Sequence, residues 1–139
     1  MKRAGEKLVG GLVVTHGRLG HELVAAAEMI VGEISHILPV SIGWHDDVDR
    51  SKKEIEKAIL SLDMGKGVII LTDMFGGTPS NLTLSLLEKG KIEIVTGVNL
   101  PMIIKLTNQA GAVDVSELAL KVKQQGQKHI SLATGLLGE

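Results

Sequence analysis

LVGGLVVTHGRLG, at residues 8–20, is the stretch that decides the fold of this chain. It begins as an apolar run without polar alternation, stops at Thr15-His16-Gly17, and continues as a helix from about Leu19. An apolar strand of this kind that leads into a helix is typical of a parallel sheet buried on both faces. We therefore predict that His16 lies at the carboxyl end of the first strand, where open α/β sheets place their chemistry.

The neighbours of His16 favour an anion beside its ring. The amide N–H groups of the turn and the positive end of the following helix dipole both face this space, and they favour phosphate above other anions. The same field disfavours a second positive charge, so we expect one ring nitrogen to keep a lone pair as a nucleophile. The alternative is a histidine that only ends a strand with a hydrogen bond, and this stretch alone leaves both interpretations open.

Composition restricts the class of protein. The chain has 139 residues, of which 44% are hydrophobic, so we expect residues 1–139 to form a single domain. The net charge is −1 with dispersed charges, which gives no electrostatic reason for a nucleic-acid or membrane-surface partner. One Trp, one Phe and no Tyr also argue against a platform for base stacking.

The absence of cysteine excludes thiol catalysis, disulfides and cysteine-based zinc sites. The remaining histidines have no spacing that indicates zinc, and the calcium-like start at Asp47 and Asp49 lacks the required glycine and the final glutamate. We therefore expect no metal and no cofactor. The apolar run near the N-terminus is too short for a membrane span, so we expect a cytoplasmic protein.

Hydrophobic periodicity and helix-start signals predict the order of elements. Capping boxes at Ser51 and Asp114 and a cap at Thr78 mark three helix starts. Strands alternate with helices, which predicts an α/β domain with a doubly wound, mostly parallel sheet, helices on both faces and strand order 2-1-3-4. We expect a fifth strand at the C-terminus to be antiparallel or exchanged in a dimer. The predicted segments are strands ending near 16, at 37–42, 68–71, 92–95 and 130–133, and helices at 19–31, 51–62, 78–87, 100–106 and 114–125.

This strand order brings two distant parts of the chain to one crevice. Asp73 follows the third strand as His16 ends the first, and the two strands are neighbours in the predicted sheet. Asp73 could hold the Nδ1–H of His16 and leave Nε2 reactive, although it could equally be an ordinary loop aspartate. The turn Gly76-Gly77-Thr78 could present amide groups and a hydroxyl to a phosphoryl group, a role compatible with a plain turn and helix cap.

Other familiar motifs are missing. The sequence has no phosphate-binding G-x-x-x-x-G-K-[ST], no G-x-G-x-x-G in its first strand–helix turn, and no G-x-S-x-G. These absences disfavour ATP binding, dinucleotide binding and serine hydrolysis. Arg18 is close enough in sequence to His16 to meet a phosphoryl group or a docking partner, although an exposed arginine needs no such role.

Three motifs carry a resemblance to a known family. THG at 15–17, LTDMFGGTPSN at 71–81 and TGVNLPM at 96–102 together resemble the IIA component of the mannose family of the bacterial phosphoenolpyruvate:sugar phosphotransferase system. The resemblance covers essentially the whole chain, with the motifs in the expected order. The sequence around Arg18 and the loop at 43–49 have no counterpart that we can place in the family pattern.

The resemblance implies a cytoplasmic phosphocarrier. In such a protein a histidine, here His16, takes a phosphoryl group from HPr and passes it to a IIB component, here expected to be a separate protein. The hydrogen-bonding aspartate of the family falls on Asp73, and its hydroxyl residue after the double glycine falls on Thr78. Membrane transporter components would be reached only indirectly. The family also implies a homodimer, and the apolar terminal stretch ISLATGLL at 130–137 fits burial between two copies.

Two alternatives remain from the sequence. The chain could be a related phosphocarrier domain that serves dihydroxyacetone phosphorylation, since that domain shares the histidine and the fold. It could also be a non-catalytic module that binds an anion or nucleotide for regulation, with His16 only a ligand contact.

Overall fold

The computed structural model describes residues 7–43, 46–74, 76–112 and 114–138. The strands are β1 (Gly10–His16), β2 (Ile37–Ile42), β3 (Val68–Thr72) and β4 (Ile92–Thr96). The helices are α1 (Leu19–Val31), α2 (Val48–Leu62), α3 (Thr78–Leu84), α4 (Leu100–Thr107), α5 (Val115–Lys128) and α6 (Ala133–Leu136). Within these ranges, no helix is both long and apolar enough to cross a membrane.

The four strands form one parallel sheet in the order β2-β1-β3-β4, which confirms the predicted strand order. β1 is central, and its residues from Gly10 to Thr15 are all buried, as the unbroken apolar run predicts. β2 lies at an edge, where Pro39 costs no ladder hydrogen bond on the free side. Val14 of β1 pairs with Thr72 of β3, so these two strands end at nearly the same height.

Helices cover both faces of the sheet, and each face has its own core. Val13 faces a cluster with α1, α4 and α5, whereas its neighbours Leu12 and Val14 face a second cluster with α2 and α3. Each fully buried aliphatic side chain contributes roughly 1.5–3 kcal/mol to folding. The predicted doubly wound fold is therefore confirmed, with β1 holding the two cores together. The largest fully buried side chains include Leu12, Ile37, Ile55, Ile69, Ile70, Leu71, Ile103, Leu106 and Leu118.

The helix starts confirm one predicted cap and correct two others. Asp114 accepts a hydrogen bond from the Glu117 amide at 2.8 Å, as its capping box predicts. The prediction that Ser51 caps α2 is wrong: Asp47 caps this helix, and Ser51 already lies inside it, with its amide bonded to the Asp47 carbonyl at 2.9 Å. Thr78 is the first residue of α3 and not its cap, because Gly77 occupies the cap position. α3 also ends at Leu84, earlier than predicted.

The C-terminal segment differs from the predicted fifth strand. Residues 130–132 have no regular structure and pair with no described strand, and the four residues of α6 follow them. Short apolar runs do not distinguish strand from helix by periodicity, and a strand needs a partner edge to bond to. In this single chain the segment follows α5 without pairing to any described strand, and its apolar side chains are exposed.

Candidate active site

His16 is the last residue of β1, at the point where the buried strand reaches the surface. Every earlier residue of β1 is buried, whereas half of the His16 side chain is exposed, at 50%. Gly17 turns the chain with φ +53°, and its amide donates to the Ile42 carbonyl at 3.0 Å. The turn thus stays tied to β2 while the imidazole projects from the carboxyl end of the sheet.

Asp73 lies directly against this histidine, since β1 and β3 are adjacent and Asp73 is the residue after β3. Its Oδ2 lies 2.8 Å from His16 Nδ1, and the same oxygen accepts the His16 backbone amide at 3.0 Å. Its Oδ1 accepts the Met74 amide at 3.0 Å. A carboxylate only accepts hydrogen bonds, so the ring donates from Nδ1 and its lone pair stays on Nε2.

These contacts set the charge of the Asp73 carboxyl. Partial burial raises its pKa, but the hydrogen bonds from the ring and amide of His16, with the attraction of the ring, together outweigh burial. The pKa of Asp73 therefore lies below its usual value. The carboxyl stays ionised at neutral pH and can support positive charge that develops on the imidazole.

The turn Gly76-Gly77-Thr78 reaches the other side of the ring. A methyl group placed on Gly77 would lie 2.7 Å from His16 Cε1 and 3.1 Å from Nε2, so the backbone passes directly beside the free nitrogen. Gly76 and Thr78 are exposed, and Thr78 begins α3. The first amides of a helix have no partner inside it, so this turn offers donors near Nε2. Phe75 lies outside the described residues.

The turn after His16 has fewer amide N–H groups available to an anion than the sequence predicts. The amide of Gly17 is bonded to β2, and the amide of Gly20 donates to the buried Thr15 hydroxyl at 2.7 Å. Two of the N–H groups expected to face an anion are therefore already bonded inside the fold, one to β2 and the other to the end of β1. Arg18 is exposed at the cap of α1, and its side chain makes no cap hydrogen bond.

The turn at residues 97–99, which follows β4, also contributes to the site, because it bonds to the residue before Asp73. After β4, the amides of Gly97 and Val98 both donate to the carbonyl of Thr72, each at 2.9 Å. Asn99 caps α4 by accepting the Met102 amide at 3.2 Å. Gly97, Asn99 and Pro101 are local signals of a turn and a helix start, but the bonds to Thr72 depend on the sheet register.

Two polar side chains beneath the site have no hydrogen-bond partner among the described residues. Thr72 and Ser80 are fully buried, and among the described residues their hydroxyls find no hydrogen-bond partner. Thr72 directly precedes Asp73, and Ser80 lies in the first turn of α3. Each unsatisfied hydroxyl carries a desolvation penalty, so both are candidates for local instability under the turn at 76–78.

The other described histidines have their own contacts. His21 Nδ1 lies 2.9 Å from the Ser41 hydroxyl, His36 is buried against the Leu106 carbonyl, and His129 contacts the Gln125 carbonyl. Across the described ranges, no group of three or more His, Cys, Asp or Glu side chains is arranged to hold a metal ion. His45 and Trp44, in the loop at 43–49, lie outside the described residues.

Comparison with known sequences finds relatives named as components of phosphotransferase systems. Residues 10–123 match the family EIIA-man, described as "PTS system fructose IIA component". The PTS system mannose-specific EIIAB component of Escherichia coli (strain K12) is 35% identical over 100 residues, which cover 68% of this chain and 29% of that protein. The present chain thus spans less than a third of the length of that relative. The PTS system sorbose-specific EIIA component of Lacticaseibacillus casei is 28% identical over 126 residues, covering 86% and 89% of the two chains.

Solved structures show the same architecture. The crystal structure of the PTS IIA protein associated with the fucose utilization operon from Streptococcus pneumoniae has a TM-score of 0.82 at 26% identity, covering 94% of this chain and 96% of that one. The mannose/sorbose specific IIA subunit from Enterococcus faecalis has a TM-score of 0.79 at 27% identity, covering 90% and 94%. The family match includes the ends of β1, β3 and β4 that form the site. The chain therefore belongs to the EIIA-man family, the IIA components of sugar phosphotransferase systems.

Proposed function

We propose that the protein is a cytoplasmic phosphocarrier in which His16 takes a phosphoryl group from HPr and passes it to a IIB component. The observation that carries this proposal is the 2.8 Å contact between His16 Nδ1 and Asp73 Oδ2. It supports a proton on Nδ1, which leaves Nε2 with the lone pair needed for a nucleophile. The proposed phosphotransferase activity then consists of moving a phosphoryl group onto this nitrogen and off it again.

The transfer step balances without any further reactant. The Nε2 lone pair of His16 bonds to phosphorus as the P–N bond of the HPr phosphohistidine breaks, and the HPr imidazole leaves. The charge on the His16 ring rises during this attack, and the ionised Asp73 carboxylate on Nδ1 offsets it. The reverse sequence, with a IIB side chain as the acceptor, returns the ring to its starting state.

The turn at 76–78 supports the charge of the bound group. A phosphorylated side chain carries about −1.5 to −2 near neutral pH, so the transferred group needs donors close to Nε2. We propose that the amides of Gly76, Gly77 and Thr78, with the Thr78 hydroxyl, supply them. The position of the Gly77 backbone beside Nε2 supports this assignment.

The names of the relatives support a role for this phosphoryl transfer in sugar transport. Proteins named for mannose and sorbose are among them, so we propose that the phosphoryl group finally serves uptake and phosphorylation of a sugar of this kind. The IIA component would reach the membrane transporter only through IIB. HPr and IIB are therefore the two partners that must recognise the surface around His16.

Reconstitution tests the proposal. The protein is incubated with phosphoenolpyruvate, enzyme I and HPr, and the bound phosphate is measured by intact mass and peptide mapping. One acid-labile, base-stable phosphoryl group is expected on the wild type, none on His16→Ala, and one on the control His129→Ala, whose histidine is exposed at the end of α5. Labelling that survives His16→Ala or maps to His21 or His45 contradicts the proposal.

We also propose that a second copy covers the outer edge of β4 beyond Ile92, whose own backbone groups already bond to Glu88. All five β4 residues are only partly buried, and a groove of about 580 Å³ runs beside this edge between α3 and α5. The same chain carries an uncovered apolar terminus, with Ile130, Leu132, Leu136 and Leu137 each 73–78% exposed. An open sheet edge and an exposed apolar segment in one molecule can cover each other between two copies.

Sedimentation tests this homodimer. The wild type is expected to sediment as a dimer at micromolar concentration, and truncation after Lys128 to give a less stable monomer. A wild-type monomer at that concentration, or a truncated protein with unchanged assembly and stability, contradicts it.

A further inference from the structure

We infer that the paired amides of Gly97 and Val98 form a positioning device for Asp73, acting through the carbonyl of Thr72. Both amides donate to this one oxygen at 2.9 Å. A carbonyl oxygen has two lone pairs, so the two donors saturate it. The device ties the end of β4 to the residue that immediately precedes the carboxylate of the site.

The link from Thr72 to Asp73 is rigid because it is a single peptide plane. The Thr72 carbonyl and the Asp73 amide belong to that plane, and rotation about its C–N bond is prevented by partial double-bond character. Fixing the carbonyl direction therefore fixes the direction in which the chain enters Asp73. From there, Asp73 contacts His16 through both the ring and the backbone amide.

The geometry of Gly97 makes this double contact possible. Its φ is +85°, which turns the Val98 N–H to the same side as its own, and a Cβ at this position would have no atom within 4 Å. Consecutive N–H groups converge on one acceptor when one residue takes a left-handed conformation. An alanine here would meet no steric obstacle, but its backbone would be strained out of the conformation that aims both amides.

The chain contains a matched control for this strain. Gly111, in the loop between α4 and α5, has φ +82°, and a Cβ there would also have no atom within 4 Å. Gly97→Ala and Gly111→Ala therefore introduce the same backbone strain at two places. Only Gly97 belongs to the hydrogen bonds that connect β4 through Thr72 to Asp73.

This inference rests on the function proposed for His16, but one of its two readouts does not need phosphorylation. The first readout is the tautomer of the unphosphorylated His16 ring, measured by ¹⁵N NMR as the fraction protonated on Nδ1. The second is the initial rate of phosphoryl transfer from phospho-HPr. A purely structural role for the turn at 97 would lower stability without moving either readout.

Gly97→Ala is expected to lower the Nδ1–H fraction and to slow transfer by roughly tenfold, within the loss that a misplaced catalytic group can cause. Gly111→Ala is expected to lose similar stability while keeping both readouts at wild-type values. If Gly97→Ala does not fold, the Asn variants at the same two glycines take its place, since Asn tolerates positive φ better. Gly97→Asn should then lie between the wild type and a loss of the tautomer preference.

Equal readouts in the Gly97 and Gly111 variants would overturn the inference, as would wild-type tautomer and rate in Gly97→Ala. A wild type that accepts no phosphate, combined with an altered tautomer in Gly97→Ala alone, would instead overturn the phosphocarrier function and leave the positioning role intact.

Discussion

Replacing Asp73 by asparagine removes an acceptor from a side chain that serves three N–H donors. Oδ2 accepts from the ring and the amide of His16, and Oδ1 accepts from the Met74 amide. An asparagine has one oxygen and one NH₂ group. With its oxygen toward His16, the NH₂ group faces the Met74 donor, and in the flipped orientation it faces both His16 donors. Either orientation sets donor against donor.

The structure sets the size of the expected effect. A hydrogen bond to a charged group contributes about 1.5–3 kcal/mol, and the bond between Asp73 and the His16 ring gains most when the ring becomes positive during transfer. Losing that amount from the transition state slows the reaction roughly ten- to a hundredfold. Asp73→Asn should therefore slow transfer in both directions by this factor while the protein stays folded.

Single-turnover transfer from phospho-HPr measures the effect directly. Asp63→Asn is a suitable control, because Asp63 also accepts backbone amides, those of Gly65 and Gly67, but at the other end of the sheet. The control should transfer at the wild-type rate. If Asp73→Asn also does so and its His16 ring keeps the wild-type tautomer, the two residues are not functional partners.

Three further predictions concern the same region. Gly77→Ala should displace the His16 ring, because the new methyl group would lie 2.7 Å from Cε1, so transfer should fall sharply while the thermal midpoint hardly moves. Folding lowers the pKa of Asp73, so its ionised form stabilises the protein above about pH 4. In denaturant titrations, the free energy of unfolding of the wild type should therefore exceed that of Asp73→Asn by less and less as pH falls below that value. Thr72→Val and Ser80→Ala should each raise the free energy of unfolding, by up to about 1–3 kcal/mol, since both remove a buried hydroxyl that no described residue bonds. A loss of stability would reveal a hydrogen bond to water or to a residue outside the described ranges.

Much of the fold follows from the sequence because one physical signal dominates it. The unbroken apolar run before His16, followed by a helix, indicates burial on both faces, and a central parallel strand between two layers of helices provides that. Once β1 and β3 are neighbours, their carboxyl ends must meet. The proximity of His16 and Asp73 was therefore predictable from topology, although no local feature of Asp73 distinguishes it from other loop aspartates.

The remaining details depend on contacts between distant residues. Ser51 has the sequence pattern of a helix cap, but packing buries it one turn inside α2 and leaves the cap to Asp47. Likewise, the bonds from Gly97 and Val98 to Thr72 arise from the register of β4, which local sequence does not encode. The terminal segment at 130–133 is apolar enough for a strand, but a strand also needs backbone partners on a neighbouring strand, and residues 130–132 pair with none of the described strands.

The position of the phosphoryl group on the His16 ring tests the central claim most directly. ³¹P and ¹⁵N NMR of the phosphorylated protein distinguish phosphohistidine bonded through Nε2 from that bonded through Nδ1. Because Asp73 Oδ2 lies 2.8 Å from Nδ1 and occupies that side of the ring, the phosphoryl group is expected on Nε2. Phosphate on Nδ1, or on any residue other than His16, would contradict the account.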